Sequence, residues 1–305
     1  MDQITVRAPA TVSNVVCGFD CLGFALTDPY DLITLRKSTR HGVTVLHLDN
    51  FGLPTDPTKN VAGVALQAFL DRTGPDHGFE IEITKHIKPG SGIGSSAASA
   101  AGAVVAANIM LGEPFSKTEL AELAMAGEML ASGSRHADNL APCIYGGFVL
   151  VRSSDPLDIV ELTFPSLFAT IIHPQIEIKT SQARALLPSH VPLSDAVRNW
   201  SNLGAFVAGL ASGDHALLAR SMVDTIIEPA RRSLIPRCDE VKAAGLAAGA
   251  LGGGISGSGP SMFMLSSSRE IAVAVASAIG NVYSGTELDF NIYVSEISSE
   301  GVRLV

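Results

Sequence analysis

Alternation of apolar and polar positions marks residues 30–37 (YDLITLRK) and 78–87 (GFEIEITKHI) as strands. In the second, Phe79, Ile81, Ile83 and Ile87 fall on one parity. Residues 3–7 and 43–48 read the same way. Between the 43–48 and 78–87 strands, NVAGVALQAFLDRTG carries a helical spacing that opens at Asn60 and closes at Gly74. The uncharged run Ser91–Gly112 is long enough to span a bilayer, but Ala, Gly, Ser and Asn dominate it, which predicts a buried helix. Ser116 and Glu119 form a capping box ahead of LAELAMAGEML. Further strands are expected at 146–152, 157–163 and 168–173, the last two as a proline-flanked pair. Thr180 is expected to cap a short helix, with longer helices at 192–211, 214–227 and 237–248. The chain is expected to change domain between Asp155 and Phe168, giving units 1–160 and 161–305.

Two stretches break these periods. APATVSNVVCGFDCLGFAL (8–26) sets Asn14 and Asp20 among apolar neighbours. A buried carboxylate needs a cation or donors, so this stretch reads either as a ligand-facing loop or as a turn at Gly18 and Asp20. The other is KPGSGIGSSAAS, directly after the 78–87 strand and at the head of the Ala-rich helix. Strand, glycine turn, helix is an arrangement that binds anions. Glycine lets the backbone approach closely, and the free first-turn amides then face the ligand. It predicts a nucleotide triphosphate cradle, the alternative being close helix packing with no ligand. No Lys follows Gly94, so the Walker pattern is absent, and GxGxxG and GxSxG fail as well. Glu128, near the end of an apolar stripe, reads as a Mg²⁺ carboxylate or as a solvated face. His136 reads as an ion-pair partner or, in preference, as a satisfied loop histidine. The glycine-rich segment 249–265 reads as a second backbone nest or a tight hairpin.

The totals narrow the classes. The chain has 305 residues, 47% of them apolar, and a net charge of −9 with no basic block. A globular protein with no nucleic-acid partner is expected. The start MDQITVRAPA lacks a secretory pattern. Four cysteines without a CxxC pair read as ordinary thiols of a reducing cytosol, and no zinc pattern is present.

With these residues in hand the chain resembles the GHMP kinases across nearly its whole length. Their phosphate loop is matched by Pro89 with Gly92-Ile93-Gly94-Ser95-Ser96-Ala97. Pro89 stands one residue closer than usual, and Ile93 replaces Leu. GISGSGPSMF (254–263) is similar to the family's third motif. APATVSNVVCGFDCLGFAL, HADNLAPC (136–143), IKTSQAR (178–184) and EPARRSLIP (228–236) resemble the members that phosphorylate homoserine.

The resemblance implies an α+β, two-domain fold: an N-terminal domain of the ribosomal protein S5 domain 2-like type and a ferredoxin-like C-terminal one. It implies ATP and Mg²⁺, and transfer to the side-chain hydroxyl of L-homoserine, a step of threonine biosynthesis in the cytoplasm. No membrane is involved, and there is room for a homodimer. By the same resemblance Asn14, Asp20, Asn139, Arg184 and Arg231 hold the amino acid, with Asp138 beside them. Ser96 and Glu128 take Mg²⁺, Asn60 reaches the adenine end, and the amides of Gly90, Ser91, Gly92, Ile93, Gly94, Ser95, Ser96 and Ala97 take the phosphates. Asp20, Asp138 and Asn139 are the catalytic candidates, with no dedicated general base required. Another GHMP kinase acting on a different small alcohol, and a silent amino-acid or nucleotide sensor, are the competing readings.

Overall fold

The computed structural model describes residues 2–74, 78–133 and 135–305. Two long strands, β1 (Gln3–Val15) and β2 (Gly18–Ser38), form an antiparallel hairpin, and the stretch 8–26 is the end of this hairpin, strand on both sides of a two-residue turn. That stretch is therefore not a loop. Its lack of alternation has a physical cause: Ala8 to Ser13 are buried on both faces of the sheet. The turn falls at Val16-Cys17. Beyond it the register jumps from Val15↔Gly18 to Ser13↔Gly23, so residues 19–22 bulge out opposite Asn14. Asn14, Val16 and Asp20 all have positive φ (56°, 47° and 56°). Three left-handed non-glycine residues, one of them β-branched, concentrate strain at one spot, and such spots favour function.

After β3 (Gly42–His47), α1 (Val61–Thr73) crosses over to β4 (Gly78–Thr84), which lies parallel to β3 and antiparallel to β2. As expected, Asn60 caps α1, receiving Ala62 N–H and Gly63 N–H, and Gly74 closes it. The Ala-rich helix α2 (Ser95–Met110) is buried on almost every face, between α1 and the β1–β2 hairpin. Small side chains allow this approach: a Cβ on Gly102 would sit 2.2 Å from Ile33 Cδ1. The capping box before α3 (Lys117–Ser132) has both of its hydrogen bonds. Then follow α4 (Leu140–Tyr145), β5 (Phe148–Ser154) and β6 (Leu157–Leu162), β5 pairing with the Leu22–Phe24 end of β2.

A second, four-stranded antiparallel sheet begins at β7 (Phe168–Pro174), so the expected 157–163/168–173 pair is divided between two sheets. Four helices come next: α5 (Thr180–Ala185), α6 (Leu193–Ser212), α7 (His215–Ser221) and α8 (Ile227–Arg231). The last lies in a stretch read as a connection. Lys179, not Thr180, is the N-cap of α5; the Thr180 hydroxyl lies 3.4 Å from Ser258 Oγ. A turn of 3-10 helix, α9 (Cys238–Ala247), the β8–β9 hairpin (Gly252–Ile255, Met262–Ser266), α10 (Arg269–Tyr283) and β10 (Phe290–Glu296) complete this half, in strand order β10-β7-β9-β8. The final strand β11 (Arg303–Leu304) returns to the first sheet and pairs with β1. Among the described residues no helix is long and apolar enough to cross a membrane.

His173 of β7 is buried, and among the described residues its Nε2 has no partner. Burial, with Lys88 adding to it, pushes its imidazole down to about 4 from an ordinary 6.5. Unfolding releases a ring that protonates more readily. Its contribution to stability is therefore present above pH 6.5 and lost as pH falls from 6.5 through 4. Between those values the melting temperature of a His173→Gln variant should fall less steeply than that of the parent. Parallel slopes would show that His173 titrates alike in both states.

Candidate active site

A cleft of about 510 Å³ opens where the glycine turn, the β1–β2 hairpin end, α3 and α5 converge. Gly90, Gly92 and Gly94 have φ of 73°, 82° and 72°, which threads the chain through two tight turns into α2. A Cβ on Gly92 would lie 2.5 Å from Gly259 O, and one on Gly94 would lie 2.1 Å from Thr11 Oγ1. Gly90 differs: its nearest neighbour would be Glu177 Cγ at 3.6 Å. Gly90, Gly92, Gly94, Ser95 and Ser96 line the cleft, whereas Ser91, Ile93 and Ala97 are buried behind it, and the Ser91 amide is already given to Lys88 O (3.2 Å).

Gly94 thus presses on the frame as well as the cleft, which makes Gly90 the cleaner site for a test. Gly90→Val should weaken ATP binding at least about tenfold through left-handed strain of about 1–2 kcal/mol and a displaced loop, with a melting shift of only a few degrees. Calorimetric titration beside a thermal melt checks both halves of this.

The second glycine segment braces the first. Ser256 Oγ donates to Gly92 O (2.7 Å), and Ser261 N–H donates to Ser91 O (3.3 Å). It is a hairpin that supports the first glycine turn. Beneath α2, the Lys85 ammonium pairs with Asp31 and donates to Ser95 O (2.7 Å) and Ser99 Oγ (2.9 Å). Asp31 also receives the amides of His86 and Ile87. The buried pair therefore joins β2, the turn after β4 and the first turn of α2. Sequence reading missed Lys85, because a lone Lys at a strand end looks like any surface lysine.

Breaking the pair by Lys85→Met should cost about 3–5 kcal/mol. The Asp31→Asn/Lys85→Met double variant should recover much of that stability while ATP affinity stays reduced. Full recovery of affinity would show that the pair does not position the loop.

On the far wall, the α3 carboxylate Glu128 is buried. Burial pushes its carboxyl up to about 7; a hydrogen bond from Ser96 pulls against this, and Asp138 adds to it. It is not the solvated face that a lone helix glutamate suggests. Asp138, also buried, is raised to about 6 by burial and by Asp20, with His136 and a Ser13 hydrogen bond opposing. Asn139 is engaged at both ends, receiving Thr11 Oγ1–H and donating to Ser13 Oγ (both 2.8 Å).

Asn14 Nδ2 donates to Gly257 O and Asn14 Oδ1 receives Asp20 N–H (both 2.8 Å), which clamps the strained bulge to the second glycine segment. The Asn60 amide holds Pro54 O and His47 besides capping α1. The residues that line the cleft at that end are Leu53 and Val61, not Asn60 itself.

The charged end has a feature that the sequence did not announce. Asp20 and Arg184 are paired with each other: the guanidinium donates to both carboxylate oxygens at 3.0–3.2 Å. Arg184 also donates to His136 Nε2 (2.9 Å), and His136 Nδ1 lies 3.9 Å from Asp20, so the ion-pair alternative for His136 describes its place better than the preferred satisfied loop histidine. Arg231 is buried, held by Ala183 O and Gly257 O, and its guanidinium is pushed down by burial and by Arg184. Both arginines lie against the Phe19 ring, Arg231 at 5.0 Å and Arg184 at 5.6 Å from its centroid.

Comparison with known proteins agrees with this geometry. The GHMP kinases N terminal domain matches residues 60–147, and the GHMP kinases C terminal domain matches residues 206–285. The chain is 44% identical to homoserine kinase of Chlorobaculum tepidum over 100% of its own length and 99% of the relative's. It is 47% identical to homoserine kinase of Chlorobium phaeovibrioides, with 100% of each covered. The crystal structure of homoserine kinase from Cytophaga hutchinsonii superposes with a TM-score of 0.96 at 49% identity, covering 100% of this chain and 98% of that one. L. major mevalonate kinase shares the fold at 16% identity (TM-score 0.73), covering 95% of this chain and 94% of that one. The architecture is the α+β, two-domain one of these kinases, and the chain belongs to the GHMP kinase family.

Proposed function

We propose that this protein transfers the γ-phosphoryl group of ATP to the side-chain hydroxyl of L-homoserine, giving O-phospho-L-homoserine and ADP. The observation that carries the substrate is the Asp20–Arg184 pair at the mouth of the cleft. A zwitterion can exchange that one pair for two, its ammonium taking Asp20 and its carboxylate taking Arg184. A neutral sugar offers neither charge. Mevalonate satisfies the cation alone and leaves Asp20 with only His136, 3.9 Å away, which disfavours it. The names of relatives at 44–49% identity support the same acceptor.

Phosphoryl transfer asks mainly for alignment and charge neutralisation. The amides at the head of α2 face the phosphates and contribute the positive end of the helix dipole. Ser96 and Glu128, already hydrogen-bonded to each other, form a hard oxygen pair of the kind Mg²⁺ takes alongside nucleotide phosphates, and they are the residues that would hold it. The metal supplies charge neutralisation on the phosphate oxygens. Asn14 and Asn139 hold the bulge and the loop in register. Asp20 and Asp138 are the carboxylates available to accept the hydroxyl proton, and no dedicated base is required.

Residues 1–160 contribute the phosphate loop, and residues 161–305 contribute both arginines. The reaction is assigned to threonine biosynthesis in the cytoplasm. An ADP-release assay over L-homoserine, mevalonate and a hexose tests the assignment. Homoserine should turn over at least about a hundredfold more efficiently; comparable turnover of mevalonate would overturn it. ADP release with none of the alcohols, together with tight ATP binding, would favour the sensor reading.

A further inference from the structure

Between β3 and α1 the chain runs through residues 48–60 without a helix or strand. Connections of that length commonly serve a site. This one carries Leu53 and ends against Val61, and both line the cleft. Most of the loop is exposed, but the groups that pin it are buried. Asn60 is 4% exposed, and the side chains of His47 and Asp49 are 7% exposed each.

Hydrogen-bonding valence sets the direction of every bond in this cluster. The amides of Ala62 and Gly63 can only donate, so the Asn60 atom they meet is Oδ1 (2.9 and 3.2 Å). Nδ2 therefore faces Pro54 O (2.8 Å) and His47 Nε2 (3.0 Å), and both of its hydrogens are used. His47 Nε2 must accept. The imidazole proton then sits on Nδ1 and is donated to Asp49 Oδ2 (3.3 Å). The other oxygen of Asp49 receives the Phe51 amide (3.1 Å). The bonds run from Phe51 through Asp49, His47 and Asn60 to Pro54 and the first turn of α1, so the chain is tied on both sides of Leu53. By contrast, the loop's other carboxylate, Asp56, closes only its own turn with Thr58 and Lys59.

We propose that His47 is the positioning residue for the nucleobase of ATP, acting through Asn60 and Asp49 to hold Leu53 and Val61 as a fixed apolar wall. This rests on the reading of the cleft as an ATP site. The Asn60 side chain is fully engaged, which leaves the two aliphatic side chains beside it to meet the flat face of the base. Such a face recognises by shape, so its contribution depends on being held in place before the nucleotide arrives. A neutral imidazole suits the task. It offers one acceptor and one donor at a fixed separation on a rigid ring, and so ties Asn60 to Asp49 with little freedom to lose.

Three variants of the full chain test this. His47→Phe keeps the ring's bulk and removes both bonds. Its KM for ATP should rise at least about tenfold, with kcat and the KM for homoserine within about threefold. Its affinity for inorganic tripolyphosphate, measured by calorimetry, should match the parent's, because that ligand has no base. His47→Gln returns an acceptor to Asn60 and should recover most of the ATP affinity. Asp49→Asn keeps the volume but sets two donors against each other, at Phe51 or at His47, and should weaken ATP binding in the same selective way. Nitrogen NMR of the parent's imidazoles, with His47 identified by its loss in His47→Gln, should place the proton on Nδ1. A proton on Nε2 overturns the proposal. So does an unchanged KM for ATP in His47→Phe and Asp49→Asn, or an equal loss of tripolyphosphate binding, which would put His47 in the frame of the whole cleft. A parent that releases no ADP with homoserine, while the variants still lose ATP affinity selectively, would sink the choice of acceptor and leave the role of His47 standing.

Discussion

Replacing Glu128 by glutamine should lower kcat by about a hundredfold or more while leaving the fold and ATP binding nearly intact. The side chain is buried beside Ser96, and glutamine keeps both its volume and its ability to accept from that hydroxyl. What glutamine lacks is the charge that a divalent cation needs at this wall of the cleft, and charge stabilisation during transfer carries effects of this size. Stability provides a readout independent of turnover. In the folded protein the Glu128 carboxyl titrates near 7 instead of 4.5. Its contribution is full below pH 4.5 and is lost as pH rises through 7. The nucleotide-free parent should therefore lose stability across that window more steeply than Glu128→Gln. A variant with normal kcat at saturating Mg²⁺ would make Glu128 a structural acid only.

Arg184→Ala should raise the KM for homoserine by more than tenfold and leave the KM for ATP within about threefold. Hydrogen bonds to charged groups contribute about 1.5–3 kcal/mol, and the substrate carboxylate loses a bidentate one. Arg184 is the better of the two arginines for this experiment. Its side chain is 39% exposed, and its partners Asp20 and His136 both reach the cleft, so the variant should fold. Arg231 is buried and holds Ala183 O and Gly257 O. Its loss would disturb the second glycine segment along with any substrate contact. Equal effects on both KM values would place Arg184 in the frame of the cleft and remove it from recognition of the amino acid.

The sequence made some of this arrangement legible because the responsible interactions are local. The Asn60 and Gly74 caps, the Ser116/Glu119 box and the glycine turn into α2 each depend on residues a few positions apart. The hairpin at 8–26 was not legible. Burial on both faces erases alternation, and its bulge is set by pairing between Ser13 and Gly23. Lys85 was hidden for a related reason, since its meaning comes from Asp31, fifty-four positions earlier. Asp20 and Arg184 could each be singled out, but their pairing with each other is a fact of tertiary structure.

The return of β11 to the first sheet has a consequence for how the chain is made. Val6 pairs with Leu304, and Val305 N–H donates to Thr5 O (3.1 Å). The outer edge of β1 is therefore covered by residues that are made almost three hundred positions later. At about 5–20 residues per second, the 287 residues between β1 and β11 occupy roughly 15–60 s. For that interval β1 presents unpaired backbone to any neighbouring nascent chain. A nascent chain stalled short of residue 303 would keep this edge open, so chaperone dependence should be set by the late arrival of two residues, Arg303 and Leu304.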